Sequence, residues 1–225
     1  MNELDRIDIT QMLLHENGSV LYRGAEGVLV RGAKSGTLLT DMTDGDFLVK
    51  KLRELSLTEN VQLTVKSESV RDTLRAQLGC SDETPCTQWV YEKKEAPAYP
   101  ACDIRPLTLD DAQTVAEHYG LVEHSLPYAT DRIRAGRMWG LVEDGALAGF
   151  IGMHREGAMG MLEILPEYRR KGYGFALEAF LIGWQLQQGW TPYCHVVYGN
   201  EASEHLQIRL GMTKCDAPAI WTWND

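Results

Sequence analysis

The 225-residue chain lacks most of the marks by which a sequence declares its surroundings or its partners. No apolar run approaches the ~20 residues that a helix needs to cross a bilayer. The opening residues, MNELDRIDIT, are acidic and polar where a secretory leader would be basic and then apolar. Both features point to a cytoplasmic protein with no membrane partner. Positive charge is scarce: 22 Lys and Arg stand against 32 Asp and Glu, a formal net charge of -10. A surface of that sign repels polyanions, which excludes nucleic acid unless a local patch outweighs the total. Cysteines are few and odd in number (Cys80, Cys86, Cys102, Cys194, Cys215), and none is spaced C-x-x-C. The sequence therefore encodes neither a disulfide framework nor a zinc or redox motif, and no metal is expected. Also missing are G-x-x-x-x-G-K-[ST] and a G-x-G-x-x-G that follows a strand, which excludes a nucleotide-hydrolysing P-loop and a dinucleotide fingerprint.

What is there is ordinary globular composition, 44% hydrophobic and 24% charged, over a length that suits one large or two small domains. The stretch KKEAPAYPACD, with Pro97 and Pro100, resists both helix and central strand. It suggests a linker at 96–102 between an N-terminal α/β domain (1–95) of unassigned role and a second domain (103–225). In the first, Ser19 to Arg23 and Gly27 to Arg31 read as a hairpin. Strands follow at Thr37 to Asp41, Val61 to Val65 and Gln88 to Glu92, with helices at Asp46 to Leu55 and Val70 to Leu78. In the second, a strand at Asp103 to Leu107 precedes a capping box, Thr108 with Asp111, and a helix that stops at Gly120. A short helix is expected at Asp131 to Ala135. Asp144-Gly145 joins the strands Met138 to Glu143 and Ala146 to His154. A turn at Arg155 to Gly157 leads into the strand Ala158 to Leu165. A helix from Gly172 to about Gln188, a strand Tyr193 to Tyr198, a helix Glu201 to Leu210 closed by Gly211 and a strand Ile220 to Trp223 complete the chain.

The stretch LPEYRRKGYG, from Leu165 to Gly174, sits where an apolar strand gives way to the long apolar helix. Pro166 ends the strand. Gly172 and Gly174 let the backbone turn tightly, and the first amides of the helix, which have no acceptors in the chain, can surround an anion. Arg169, Arg170 and Lys171 add full charges to the same place. The patch is too small for a duplex and about right for one phosphate or pyrophosphate.

Arg169, Gly172 and Gly174 match [Arg/Gln]-x-x-Gly-x-[Gly/Ala]. With Leu162 to Gly174, NEASEHLQIRLGM from Asn200 to Met212 and the opening IRPLTLDDA from Ile104 to Ala112, they resemble the GNAT superfamily of N-acyltransferases. The resemblance covers roughly the last 120 residues. It implies an α/β (α+β) fold with a mixed, mostly antiparallel twisted sheet flanked by helices. The first half could be a degenerate GNAT-like domain, as in the two-domain glycine N-acyltransferase branch. It further implies that the backbone from Arg169 through Arg170, Lys171, Gly172 and Tyr173 to Gly174 cradles the pyrophosphate of an acyl-CoA, acetyl-CoA in the first instance. On the same reading Leu162 to Ile164 pair with the pantetheine arm, and Asn200 either touches that arm or only caps its helix. The acceptor would be a small amine or an amino acid. A protein N-terminus or lysine is the alternative, and a coenzyme A-binding module without turnover is the reading from another class. The oligomeric state is left open, a homodimer included.

Acyl transfer to an amine needs a base for the amine proton and an acid for the leaving thiolate. The position that supplies the base in the glycine N-acyltransferase branch falls on Ala158, which cannot. Glu156 lies two residues earlier on the same face; Glu163 lies on the other face unless a bulge intervenes. His154 is a third candidate. The helix position that carries a tyrosine acid in many family members is Gln207, and Tyr198 could substitute for it.

Overall fold

A computed structural model of the chain describes residues 1–15, 17–119 and 125–224. The N-terminal segment, read above as polar, forms a helix, α1 (Ile7–Leu14), whose Ile9 and Met12 are buried. Five strands and two helices follow: β1 (Gly18–Gly24), β2 (Gly27–Gly32), β3 (Leu38–Thr40), α2 (Gly45–Glu54), β4 (Gln62–Val65), α3 (Glu68–Leu78) and β5 (Asp82–Val90). Asp44 and Ser67 cap the two helices through the Phe47 and Val70 amides, and Gly79 closes α3 in the left-handed conformation.

The segment Tyr91 to Cys102 holds no helix or strand. Beyond it come β6 (Asp103–Pro106), α4 (Ala112–His118), α5 (Ser125–Arg134), β7 (Met138–Glu143), β8 (Ala146–Met153), β9 (Met159–Ile164), α6 (Tyr173–Gln187), β10 (Tyr193–Val197), α7 (Glu201–Leu210), β11 (Thr213–Lys214) and β12 (Ala219–Trp223). The capping box of Thr108 and Asp111 forms as expected, ahead of a short 3-10 turn that runs into α4. Gly120, the expected stop, lies outside the described residues. The helix expected at Asp131 begins earlier, at Ser125.

The strands form one sheet in the order β1-β2-β3-β4-β12-β5-β10-β9-β8-β7-β6, with β11 also on β5. Pairing is antiparallel except between β3 and β4 and between β9 and β10. The order contains a repeat that local patterning does not reveal. Strands β1, β2, β3 and β4 are arranged among themselves as β7, β8, β9 and β10 are; α2 follows β3 as α6 follows β9, and α3 follows β4 as α7 follows β10. Each half also gives its last strand to the other. β5 pairs with β10, β12 pairs with β4, and β5 and β12 meet at the centre. The expected strand at Gln88 is thus the end of a longer one that starts at Asp82 and contains Pro85. Proline is tolerated because its carbonyl, and the side on which its missing N–H would lie, face the Tyr198 amide just past the end of β10, at 2.9 Å.

The core divides by sheet face. One cluster joins α6 and α7 to the sheet through Leu177, Leu181, Ile182, Leu210, Cys194, Val196 and Met159. Another, on the opposite face, joins α4 and α5 through Val115, Tyr119, Ala129, Ile133, Phe150 and Met161. Trp139 is packed in the first cluster with Trp184 and Trp190 beside it, so these tryptophans are core residues. At the seam between the halves Lys66 donates to Asp8 (2.6 Å) and to Gln88 (2.9 Å), with both charged side chains fully buried. The cysteines are all unpaired, and four of the five are buried.

Candidate active site

The two central parallel strands of the C-terminal half touch at one rung. Cys194 of β10 faces Met159 of β9, and no further pairing between them occurs along β9. From Gly160 to Ile164, β9 therefore presents a free edge to a fork that opens toward the 165–172 loop. Within the fork β9 carries a bulge. Gly160 faces Gly152 and Glu163 faces Phe150, so Met161 and Leu162 together oppose Ile151, and Met161 takes a left-handed φ of 53°. The extra residue resets the alternation. Met159, Leu162 and Ile164 pack toward α6, whereas Met161 packs toward α4 and α5, and Glu163 follows it onto that face. The bulge is the condition under which Glu163 shares a face with Ala158.

At the open end of the fork the loop turns through left-handed conformations at Arg170 (φ 67°) and Gly172 (φ 84°), and only at Gly172 is the residue type one that favours it. Ala176 N–H, bonded to Gly172 O at 3.2 Å, is the first amide of α6 to find an acceptor; those from Arg170 to Phe175 have none among the described residues. These amides carry the positive end of the α6 dipole. A Cβ on Gly172 would meet nothing within 4 Å, and one on Gly174 would make ordinary contacts with Ile164, Leu206 and Leu162. The space in front of the loop is therefore not filled by protein.

The three cations behave differently. Arg169 folds back on β9, donating to Ile164 O (3.0 Å) and to Glu163 Oε1 (2.9 Å). Lys171 donates to Glu143 Oε2 (2.7 Å), as Tyr173 does to Oε1 (2.5 Å), and this carboxylate raises both Lys171 and Tyr173 above their usual pKa values. Arg170 is exposed and engages no carboxylate. Asn200 accepts from the Ser203 amide at 3.1 Å and so caps α7.

The opposite side of β9 holds a polar cluster. Glu156, in the β8–β9 turn, is 8% exposed, and its carboxylate makes no hydrogen bond or ion pair among the described residues. Burial and the Glu156 charge together raise the Tyr119, Tyr128 and Tyr193 hydroxyls above their usual pKa. Tyr193 donates to the Glu156 carbonyl (2.9 Å), Tyr128 shares a hydrogen bond with His154 Nδ1 (2.7 Å), and Tyr119 packs in one cluster with Met161 of the bulge. Tyr119 and Tyr128 were not singled out from the sequence. Nothing in their local pattern marks them, because the fold brings α4 and α5 over the bulge. Tyr198 is 48% exposed and lines a shallow depression with Thr87, Glu204 and Lys214; no contact joins it to Glu156 or Glu163. Among the described residues no group of His, Cys, Asp and Glu is arranged to hold a metal ion, and no helix is long and apolar enough to cross a membrane.

Residues 138–221 match the family model of the FR47-like proteins. No curated protein matches the sequence. Among solved structures, the chain is similar over its whole length to a putative acetyltransferase of the GNAT family from Novosphingobium aromaticivorans (TM-score 0.65, 18% identity, 100% of each chain covered). It is likewise similar to a GCN5-related N-acetyltransferase from Kribbella flavida (TM-score 0.64, 12% identity, 100% of this chain and 97% of that one). A tandem GNAT protein from the clavulanic acid biosynthesis pathway also matches (TM-score 0.54, 18% identity, 96% and 86%). The mixed, mostly antiparallel sheet flanked by helices is the fold that these proteins share with this chain.

Proposed function

From the FR47-like match over residues 138–221 and the fold shared with GNAT acetyltransferases, we propose that this chain is a GNAT-type, acyl-CoA-dependent N-acyltransferase. It moves an acyl group, acetyl in the first instance, to the amine of a small molecule or amino acid by direct attack in a ternary complex. The observation that carries this reading is the free edge of β9 in the fork, leading up to a run of amides without acceptors from Arg170 to Phe175.

Each part of the donor has a counterpart. The amides and Arg170 hold the pyrophosphate, with Arg169 and Lys171 close by and released from their carboxylates as needed. The edge from Leu162 to Ile164 pairs with the pantetheine arm as an added strand would. An amide of the bulge holds the thioester oxygen as negative charge develops there. Glu156 is the preferred base, because it is a nearly buried carboxylate with no structural partner to give up, whereas Glu163 is engaged by Arg169. Tyr119 and Tyr128, near enough to Glu156 to feel its charge, pack beside Met161 of the bulge. Asn200 serves as the cap of α7.

The test is transfer from acetyl-CoA to a panel of small amines and amino acids, followed as free thiol released. Thiol release that depends on one class of amine supports the reading. Acetyl-CoA binding without release in the presence of any amine would leave a coenzyme A-binding module instead.

A further inference from the structure

In the N-terminal half an open cleft of about 450 Å³ lies between α1 and the β1–β2 hairpin, a volume in the range of small-molecule sites. Its walls follow from the two elements. Arg6, just ahead of the helix, and Ile9, Thr10, Leu13 and Leu14 fall at i, i+3, i+4, i+7 and i+8, and so make one stripe of α1. Protein does not cover that stripe along its length, since Leu14 is 66% exposed whereas Met12, on the other side of the helix, is fully buried. The hairpin leaves the space open because the residues that it brings there, Gly24, Ala25 and Gly27, have almost no side chain. Gly27 takes a φ of 128°, and a Cβ on it would meet Asp41 Oδ1 at 2.5 Å, so glycine is what lets Asp41 reach the Val28 amide.

The charged groups of the cleft gather at its hairpin end. Asp41 accepts from the Val28 amide through Oδ1 (2.6 Å) and from Arg6 Nε through Oδ2 (2.7 Å). Arg23 stands directly opposite Val28 in the hairpin, so its side chain leaves the sheet on the same face, where Val28 packs with Ile9 and Met12. Both guanidinium groups therefore line one end, and the single carboxylate among the lining residues is already engaged twice. Arg23 is exposed and pairs with no carboxylate among the described residues, and the Arg6 Nη groups have no acceptor there either. Glu26, in the turn of the hairpin, accepts from the Tyr22 hydroxyl (2.5 Å), and Tyr22 packs on the opposite face with Leu29 and Leu48. In a chain of net charge -10 the cleft thus has a local excess of positive charge at the head of an apolar wall.

We propose that this cleft is a second small-molecule site, which binds an organic carboxylate with an apolar tail. The planar guanidinium of Arg23, with the free Nη groups of Arg6, takes the carboxylate in charge-assisted hydrogen bonds. The tail lies along α1 over Ile9, Leu13 and Leu14. An exposed ion pair alone binds weakly, so affinity rises with the length of the tail as apolar area leaves water. The cleft shares no residue with the fork of β9 and β10 or with the 165–174 loop, so it stands whether or not the chain is a transferase.

The experiment is calorimetric titration of the full chain with sodium acetate, butyrate and hexanoate, and with 1-hexanol, which has the tail without the charge. Affinity should rise from acetate to hexanoate, with one hexanoate bound per chain, and 1-hexanol should bind far more weakly than hexanoate. Arg23→Gln should weaken hexanoate by ~10-fold or more, the worth of one charge-assisted hydrogen bond. Thr10→Phe, which puts a ring into the cleft from an exposed position, should abolish binding. Both positions are exposed, so the melting temperature of each variant should match that of the wild type. Saturating acetyl-CoA should leave hexanoate in place. Equal hexanoate affinity in wild type and Arg23→Gln, equal affinity for hexanoate and 1-hexanol, or no saturation by hexanoate in the millimolar range overturns the proposal. Displacement of hexanoate by acetyl-CoA puts it in the donor site and overturns the proposal too, while leaving the transferase reading intact. Hexanoate binding that depends on Arg23, in a protein that binds no acetyl-CoA, supports the cleft and overturns the transferase reading alone.

Discussion

Replacing Glu178 by Gln should stabilise the unliganded protein at neutral and alkaline pH, and do so less and less as the pH falls. The carboxyl of Glu178 is raised from 4.5 to about 7 by burial. A group raised on folding contributes stability that is complete below its unfolded pKa and lost as pH rises to its folded one. Between pH 4.5 and about 7 the unfolded chain has released the proton and the native protein has kept it, so wild-type stability falls by about 1.4 kcal/mol per unit, or about 3 kcal/mol in all. Gln keeps the shape of the side chain but has no proton to lose. Urea unfolding of both proteins at a series of pH values isolates this contribution, because groups common to the two cancel in the difference. One such group is His195, which burial lowers to about 3. The difference should grow in favour of the variant from pH 5 to pH 7 and then level off. A difference that stays constant over that interval would refute the reasoning, since it would mean that Glu178 is ionised in the native protein as freely as in the unfolded chain.

Other outcomes follow from the same geometry. Isothermal titration should find one acetyl-CoA per chain: the turn after β3, which corresponds to the 165–172 loop, and the first turn of α2 carry Asp41, Asp44 and Asp46 where the loop carries Arg169, Arg170 and Lys171, and two bound per chain would contradict this. Glu156→Gln should lower the rate of transfer by ~10²-fold with little change in acyl-CoA affinity. Glu163→Gln should instead act on affinity by releasing Arg169, and the opposite pattern in steady-state kinetics would exchange their roles. Lys66→Met should cost ~3–5 kcal/mol in denaturant unfolding, because it leaves the fully buried Asp8 carboxylate without its partner, and a cost under ~1 kcal/mol would mean that water reaches the pair.

Much of the C-terminal half was legible because its signals are local. Asp144 and Gly145 make the expected turn with positive φ at both residues, Asn200 and Gly211 bound α7, and the cations and glycines of LPEYRRKGYG mark a helix start without acceptors for its amides. What was missed depends on residues far apart in the chain. β5 begins at Asp82 and runs through Pro85 because β10 and β12 pair with its two sides, contacts more than a hundred residues distant. α1 reads as polar, yet Asp8 is buried because Lys66 lies against it. Glu156 stands in a turn, where side chains are ordinarily solvated, yet it is buried, and α5 reaches that turn through Tyr128 to His154 and Asp131 to Arg155. Glu178 gives no sign of its burial within an apolar helix, since only the packing of α6 in the fold closes it off from solvent.

The central claim is that the fork and the 165–174 loop form one acyl-CoA site, and calorimetric titration of acetyl-CoA into the wild type and into Gly174→Val tests it most directly. A Cβ at position 174 meets only ordinary contacts within the protein, and an unchanged melting temperature shows that the two methyl groups of the variant are accommodated while they intrude on the proposed pyrophosphate site. Binding by the wild type that weakens tenfold or more, about 1.4 kcal/mol or greater, in a variant of unchanged melting temperature is the predicted result. Equal affinity in the two proteins, or no binding by either, would contradict it.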